Sequence, residues 1–189
     1  SNGAITQTGA LTQAAGAGAA SFTTGGGVIT LTQANDFTGA VSATNTGVNA
    51  IQITDSNALQ LGTISTANNL TATGVGITQD AGGLTVGGTT TINAGAGVIT
   101  LGTAGNALTG AVSLNNSGGN NVALTNNIAT VLGTSAVGSG TLDVTSNGAI
   151  TQTGALTQAA GAGAATFNAG ANAITLTQAN DFTGAVSLN

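Results

Sequence analysis

Five aspartates, Asp36, Asp55, Asp80, Asp143 and Asp181, are the only charged side chains in this 189-residue chain, and so its candidates for an acid, a base or a carboxylate ligand to a cation. Lys, Arg, His, Cys, Glu, Tyr, Trp, Met and Pro are all absent. Asp55 and Asp80 follow an isoleucine by two and three residues, so adjacent turns of a coil could bring them to one cation. Calcium wants six to eight oxygens, and the glycine-aspartate nonapeptides of calcium-binding β-rolls are missing. Asp36 and Asp181 are the same position in two copies of a long repeat and read as a polar corner. Two carboxylates about six turns apart cannot flank one glycosidic bond. No catalytic, cofactor-binding or metal-ligating residue is therefore expected, and the chain reads as a non-enzyme.

Charge excludes two classes of partner. Counterion release from nucleic acid needs several Lys or Arg, and attraction to anionic lipid needs a basic cluster; this chain has neither cation and a net charge of −5. Its apolar runs fall far short of the roughly 18 to 20 residues of a membrane span, so membrane insertion is not expected. The remaining chemistry is hydroxyl and amide. Thr6, Thr30, Thr54, Thr78, Thr100, Thr125, Thr151 and Thr175 each follow a branched aliphatic and recur near every 24th position. Four of them open a Thr-x-Thr triplet, the spacing with which a flat face could order water or bind ice.

Those threonines must be placed by a repeating element. The aliphatics before them, Ile5, Ile29, Ile53, Ile77, Ile99, Leu124, Ile150 and Ile174, are expected to form one inward column, with each Thr pointing out from the same strand. A fixed period of this size marks a solenoid, in which stacked copies close a core that one copy cannot. Runs such as VITLT at 28–32 and IQIT at 51–54 alternate with period two and are rich in β-branched residues, which fits half-buried strands. Helix is disfavoured, because Gly and Asn interrupt every long window. Three apolar peaks per period predict three short strands and three corners, hence about eight triangular turns of about 24 residues. Asn35, Asn57, Asn106, Asn126 and Asn180 fall at corners, where amides stacked as ladders can satisfy turn backbone. Phe22, Phe37, Phe167 and Phe182 recur in phase and read as core.

A longer repeat lies over the short one. Residues 146–187 repeat residues 1–42 with six differences, all between positions 21 and 28. The superrepeat thus runs over 1–145, the second copy beginning at 146. TGAVS at 38–42, 109–113 and 183–187 marks its halves, read as three turns each. Residues 1–189 are expected to be one β-solenoid segment of a longer repetitive chain.

The phrases GAITQTGALTQ, LTVGGTTTINAG and NDFTGAVSLN resemble the β-helical repeats of bacterial filamentous-haemagglutinin-type exoproteins and autotransporter-like surface adhesins. The resemblance implies a right-handed parallel β-helix, secreted to the bacterial cell surface and presented as a long fibre. The function expected is that of a structural shaft of an adhesin or extracellular filament, acting through length, rigidity and self-association, head-to-tail or lateral, with any host or neighbouring-cell contact made by other parts. The alternative expectation is an ice- or surface-binding solenoid using the outward Thr ranks.

Overall fold

A computed structural model describes all 189 residues. Every strand pairing is parallel, and the strands form two sheets of ten and eleven members, with no helix. The chain is a parallel β-solenoid of about nine turns.

Its path has three sides. The first runs through Ile5–Thr6, Ile29–Asn35, Ile51–Asp55, Leu70–Thr73, Thr90–Asn93, Val112–Asn115, Ser135–Val137 and Leu156–Gln158 to Asp181. The second begins at the Thr12–Asp36 bridge and continues from Leu59 through Ile77–Gln79, Ile99–Leu101, Val122–Asn126, Leu142–Ser146 and Ala165–Asn168 to Val186–Leu188. The third holds Ala20–Thr24, Val41–Asn45, the end of Leu59–Thr66, Leu84–Val86, Ala107–Leu108, Thr130–Leu132, Ile150–Gln152 and Ile174. Third-side strands join the second sheet through Leu59–Thr66, which turns a corner, and the first sheet through the Val112–Leu132 pair.

Alternation builds the core. In Val112–Asn115 or Val122–Asn126, every second side chain is buried, and the inward residues of all turns merge into one cluster of 33. Each fully buried Ile, Leu or Val contributes roughly 1.5–3 kcal/mol. Phe22 meets Phe37 edge-on at 6.0 Å, and their repeat equivalents Phe167 and Phe182 do so at 5.8 Å. Thr90 interrupts the apolar column between Leu70 and Val112, fully buried, with a hydroxyl that has no partner. Thr90→Val keeps the shape and removes that unsatisfied group, so it should stabilise the protein by about 1–2 kcal/mol. Thermal unfolding of the two proteins checks this.

The turn is shorter than the sequence period suggested. First-side rungs at Ile5, Ile29, Ile51, Leu70, Thr90 and Val112, and second-side rungs from Leu59 to Val186, follow one another at a mean spacing of about 21 positions. The Ile-Thr marks therefore do not stack in one file. Ile29 pairs with Ile51, while Ile53 pairs with Leu31; Ile77 and Ile99 pair on the second side, where Leu124 opposes Leu101; Ile150 and Ile174 pair on the third. The physical reason is that the marks belong to the half-repeat, which is not a whole number of turns. Val41 lies on the third side, its equivalent Val112 on the first and Val186 on the second. Each half-repeat spans ten strand positions, three turns and one side, where three whole turns were expected.

Candidate functional site

The inward placement of the marks is as their alternation requires. Ile29, Ile53, Ile77, Ile99, Leu124 and Ile150 are buried, and Ile5 and Ile174 are half-buried against the core near the two ends. The threonines after them all face out, but on different sides. Thr6 stacks on Thr30, Thr54 on Thr73, Thr78 on Thr100 and Thr125 on Thr145, while Thr151 sits beside Val131 and Thr175 follows the third-side Ile174. Two long outward ranks form, each holding only two of these threonines: Thr6, Thr30, Gln52, Thr71, Thr91 and Ser113 stand in register along the first side, and Gln60, Thr78, Thr100, Ala123, Asp143, Thr166 and Ser187 along the second.

Asp55 and Asp80 do not converge. Asp55 ends a first-side strand and Asp80 follows a second-side one, so the two lie at different corners. Asp80 Oδ1 accepts the Gly82 N–H, and the Asp55 oxygens accept the N–H groups of Phe37 and Asn57. No three His, Cys, Asp or Glu side chains come together. Asp55 is nonetheless unusual, being 3% exposed. Burial raises its pKa from 3.8; the Asn57 and Phe37 N–H groups pull it down, and nearby Asp36 raises it further.

A carboxyl whose folded pKa is raised binds its proton more tightly when folded, so it favours the fold at low pH. That contribution is lost as pH rises from 3.8 through the raised value. Asn126 sits one half-repeat on and makes the corresponding contact as a neutral amide, accepting the Leu108 N–H at 2.9 Å. Asp55→Asn should therefore melt higher than the parent at neutral pH, with the difference shrinking below pH 3.8. Melting curves across that window test it.

The most elaborate side-chain feature is a part-buried amide pair that occurs three times. Gln7 Nε2 donates to Asn35 Oδ1 at 2.7 Å, and Asn35 Nδ2 donates back to Gln7 Oε1 at 3.0 Å. Gln79 and Asn106 repeat the exchange at 2.6 and 3.1 Å, and Gln152 and Asn180 at 2.9 and 2.9 Å. Each Asn Oδ1 also accepts a backbone N–H, from Leu11, Leu84 or Leu156. Asn35 and Asn106 reach forward to the next turn as well, donating to the carbonyls of Thr54 and Thr125.

Of the asparagines expected at corners, Asn35, Asn106, Asn126 and Asn180 do satisfy corner backbone, though not by stacking on one another. Asn57 is exposed and donates to Asp36. A direct amide ladder forms instead where Asn115 donates to Asn93 at 3.0 Å on the first side. The glutamines were the missed partners. Their signal was the triplet Ile-Thr-Gln at 5–7, 77–79 and 150–152, with Asn35, Asn106 and Asn180 at offsets of 28, 27 and 28 from the three glutamines.

The first clasp joins consecutive first-side strands, the second joins second-side strands and the third joins third-side elements. The arrangement is a repeated corner staple whose amide oxygens accept backbone N–H groups. A family described as repeats of unknown function (DUF5649) matches residues 1–44, 48–115 and 119–189. The chain belongs to this family. No curated protein and no solved structure matches it. The two longer DUF5649 matches each cover ten strand positions, Ile51–Asp55 through Val112–Asn115 and Val122–Asn126 through Val186–Leu188. The repeat defined by the family and the half-repeat defined by the coil are thus one unit.

Proposed function

We propose that this chain is a structural shaft of a secreted bacterial surface fibre, adhesin or extracellular filament, acting through length, stiffness and association with further copies of itself. The observation that supports this best is the parallel first-side ladder running from Ile5 to Asp181, beside one core of 33 buried residues, with the same staple returning in every half-repeat. Such a design gives uniform geometry along an axis. The resemblance to filamentous-haemagglutinin-type repeats supports the placement at a bacterial surface. Self-association fits a surface without a single cationic side chain, whose five carboxylates are spread over about nine turns.

The test is association of the purified chain. Sedimentation and electron microscopy should show rods with about 4.8 Å between turns that join end to end or side by side as concentration rises. Rods that remain single at every concentration would sink the self-association reading. The first-side rank of Thr30, Gln52, Thr71, Thr91 and Ser113 favours one second reading, a water-ordering or ice-binding face. Thermal hysteresis by the purified chain, with no association, would put that reading first.

A further inference from the structure

Asn147-Gly148 is one of two Asn-Gly pairs in the chain, and Asn2-Gly3 is its counterpart one superrepeat earlier. An asparagine before glycine is the one most open to attack on its own side chain, because no Cβ shields the following nitrogen. Every other asparagine with a successor precedes a residue that carries a side chain.

The coil places this pair at the corner between Leu142–Ser146 and Ile150–Gln152, with Asn147 exposed. Asn147 donates its own N–H to the Asn126 carbonyl at 2.9 Å, which holds the chain just before the pair. The peptide group between Asn147 and Gly148 is different: its carbonyl accepts no hydrogen bond and its N–H donates none. The Asn147 side chain makes a single long bond, from Nδ2 to Asn127 Oδ1 at 3.3 Å. Attacking nitrogen and target amide are therefore both lightly held, on a residue open to water. At Asn2-Gly3, in contrast, the Gly3 N–H donates to Ser1 Oγ at 3.1 Å.

Replacing the glycine is not open to this fold. A Cβ at Gly148 would come within 2.7 Å of the Ala129 nitrogen and 2.8 Å of its Cα, in the turn before. Packing demands glycine at the position where glycine leaves the asparagine reactive.

We infer that Asn147 is a site of spontaneous deamidation in the folded coil. The Gly148 nitrogen gives up its proton to solvent and attacks Asn147 Cγ. The new N–C bond closes a five-membered imide as the Cγ–Nδ2 bond breaks, and Nδ2 leaves as ammonia after taking a proton from solvent. Water then adds to either imide carbonyl and opens the ring, leaving an aspartate or its β-linked isomer at position 147. Water is the only co-reactant. The product adds one carboxylate to a chain of net charge −5 and ends the donation to Asn127. The β-linked isomer also lengthens the backbone by one atom where turns stack. This chemistry is independent of the self-association reading above.

The folded chain, aged at mildly alkaline and at mildly acidic pH, can be read by fragmentation of the intact protein in a mass spectrometer, beside the same chain aged in urea. Circular dichroism confirms that the aged chain is still coiled. A gain of one dalton should build up at Asn147 in the coil, faster at alkaline pH because the attacking nitrogen must lose its proton, and Asn147→Gln should abolish the gain at that position. An Asn147 that converts in urea but stays intact in the coil would overturn the inference, because the fold would then protect the pair. Conversion spread evenly over the other exposed asparagines would overturn it as well, since neither the glycine nor the free peptide group would be directing the reaction.

Discussion

Asn106→Ala should cost about 4 kcal/mol, among the largest losses expected from a single polar substitution in this chain. The size follows from what Asn106 holds. Its amide exchanges two hydrogen bonds with Gln79, accepts the Leu84 N–H and donates to the carbonyls of Leu101 and Thr125. The residue is fully buried, so truncation leaves several groups without partners where water cannot replace it. Each buried group left unsatisfied costs roughly 1–3 kcal/mol. Asn180 is the internal control. It is only half-buried and its second amide bond, to Leu176, is long at 3.5 Å. Asn180→Ala should therefore cost about half as much or less. Equal losses at the two positions, measured by denaturant unfolding, would show that the next-turn and burial contributions are not what the clasp depends on.

Gly138→Ala should destabilise by about 3 kcal/mol, although it adds one methyl group at a corner. The corner backbones of three turns lie almost against one another. A Cβ at Gly138 would land on the carbonyl oxygen of Gly118 and come within 2.7 Å of Asn116 Oδ1. A Cβ at Gly118 would in turn land on the carbonyl oxygen of Ala96. Gly118 cannot retreat, so the clash must spread through the stack. Gly102 supplies the contrast, with nothing within 4 Å of an added Cβ and no positive φ. Gly102→Ala should stabilise by about 0.4–1 kcal/mol through the unfolded chain. Unfolding midpoints for both variants separate a specific contact from a general intolerance of alanine at corners.

Much of the fold was legible because period-two alternation is a local property. VITLT at 28–32 or VALTN at 122–126 reads as a half-buried strand on its own, and glycine and asparagine mark the corners between strands. The turn length was not legible in the same way. The Ile-Thr pair recurs near every 24th position because three such marks fill a half-repeat, whereas the coil divides that half-repeat into three and a third turns. The registers of Ile29 with Ile51, rather than Ile53, and of Ile99 with Val122, rather than Leu124, reveal the difference. The clasp was hidden for a related reason. Gln7 and Asn35 are separated by one turn and one corner, and their spacing in the chain means nothing until the true length of a turn is known. Asp55 and Asp80 look adjacent in the sequence period, whereas the observed sides hold them apart.

A half-repeat of three turns and one side can be measured directly. Thr38, Thr109 and Thr183 are equivalent, exposed and drawn from the three TGAVS phrases, so nitroxide pairs at these positions report the geometry. Pulsed dipolar spectroscopy on the three double-cysteine variants should give distances that exceed the axial rise, about 16 Å for each neighbouring pair, by an amount set by the width of the coil, because the labels leave on different sides. Distances equal to a pure rise of three and six whole turns, about 14 and 29 Å, would place all three labels on one side and contradict that geometry.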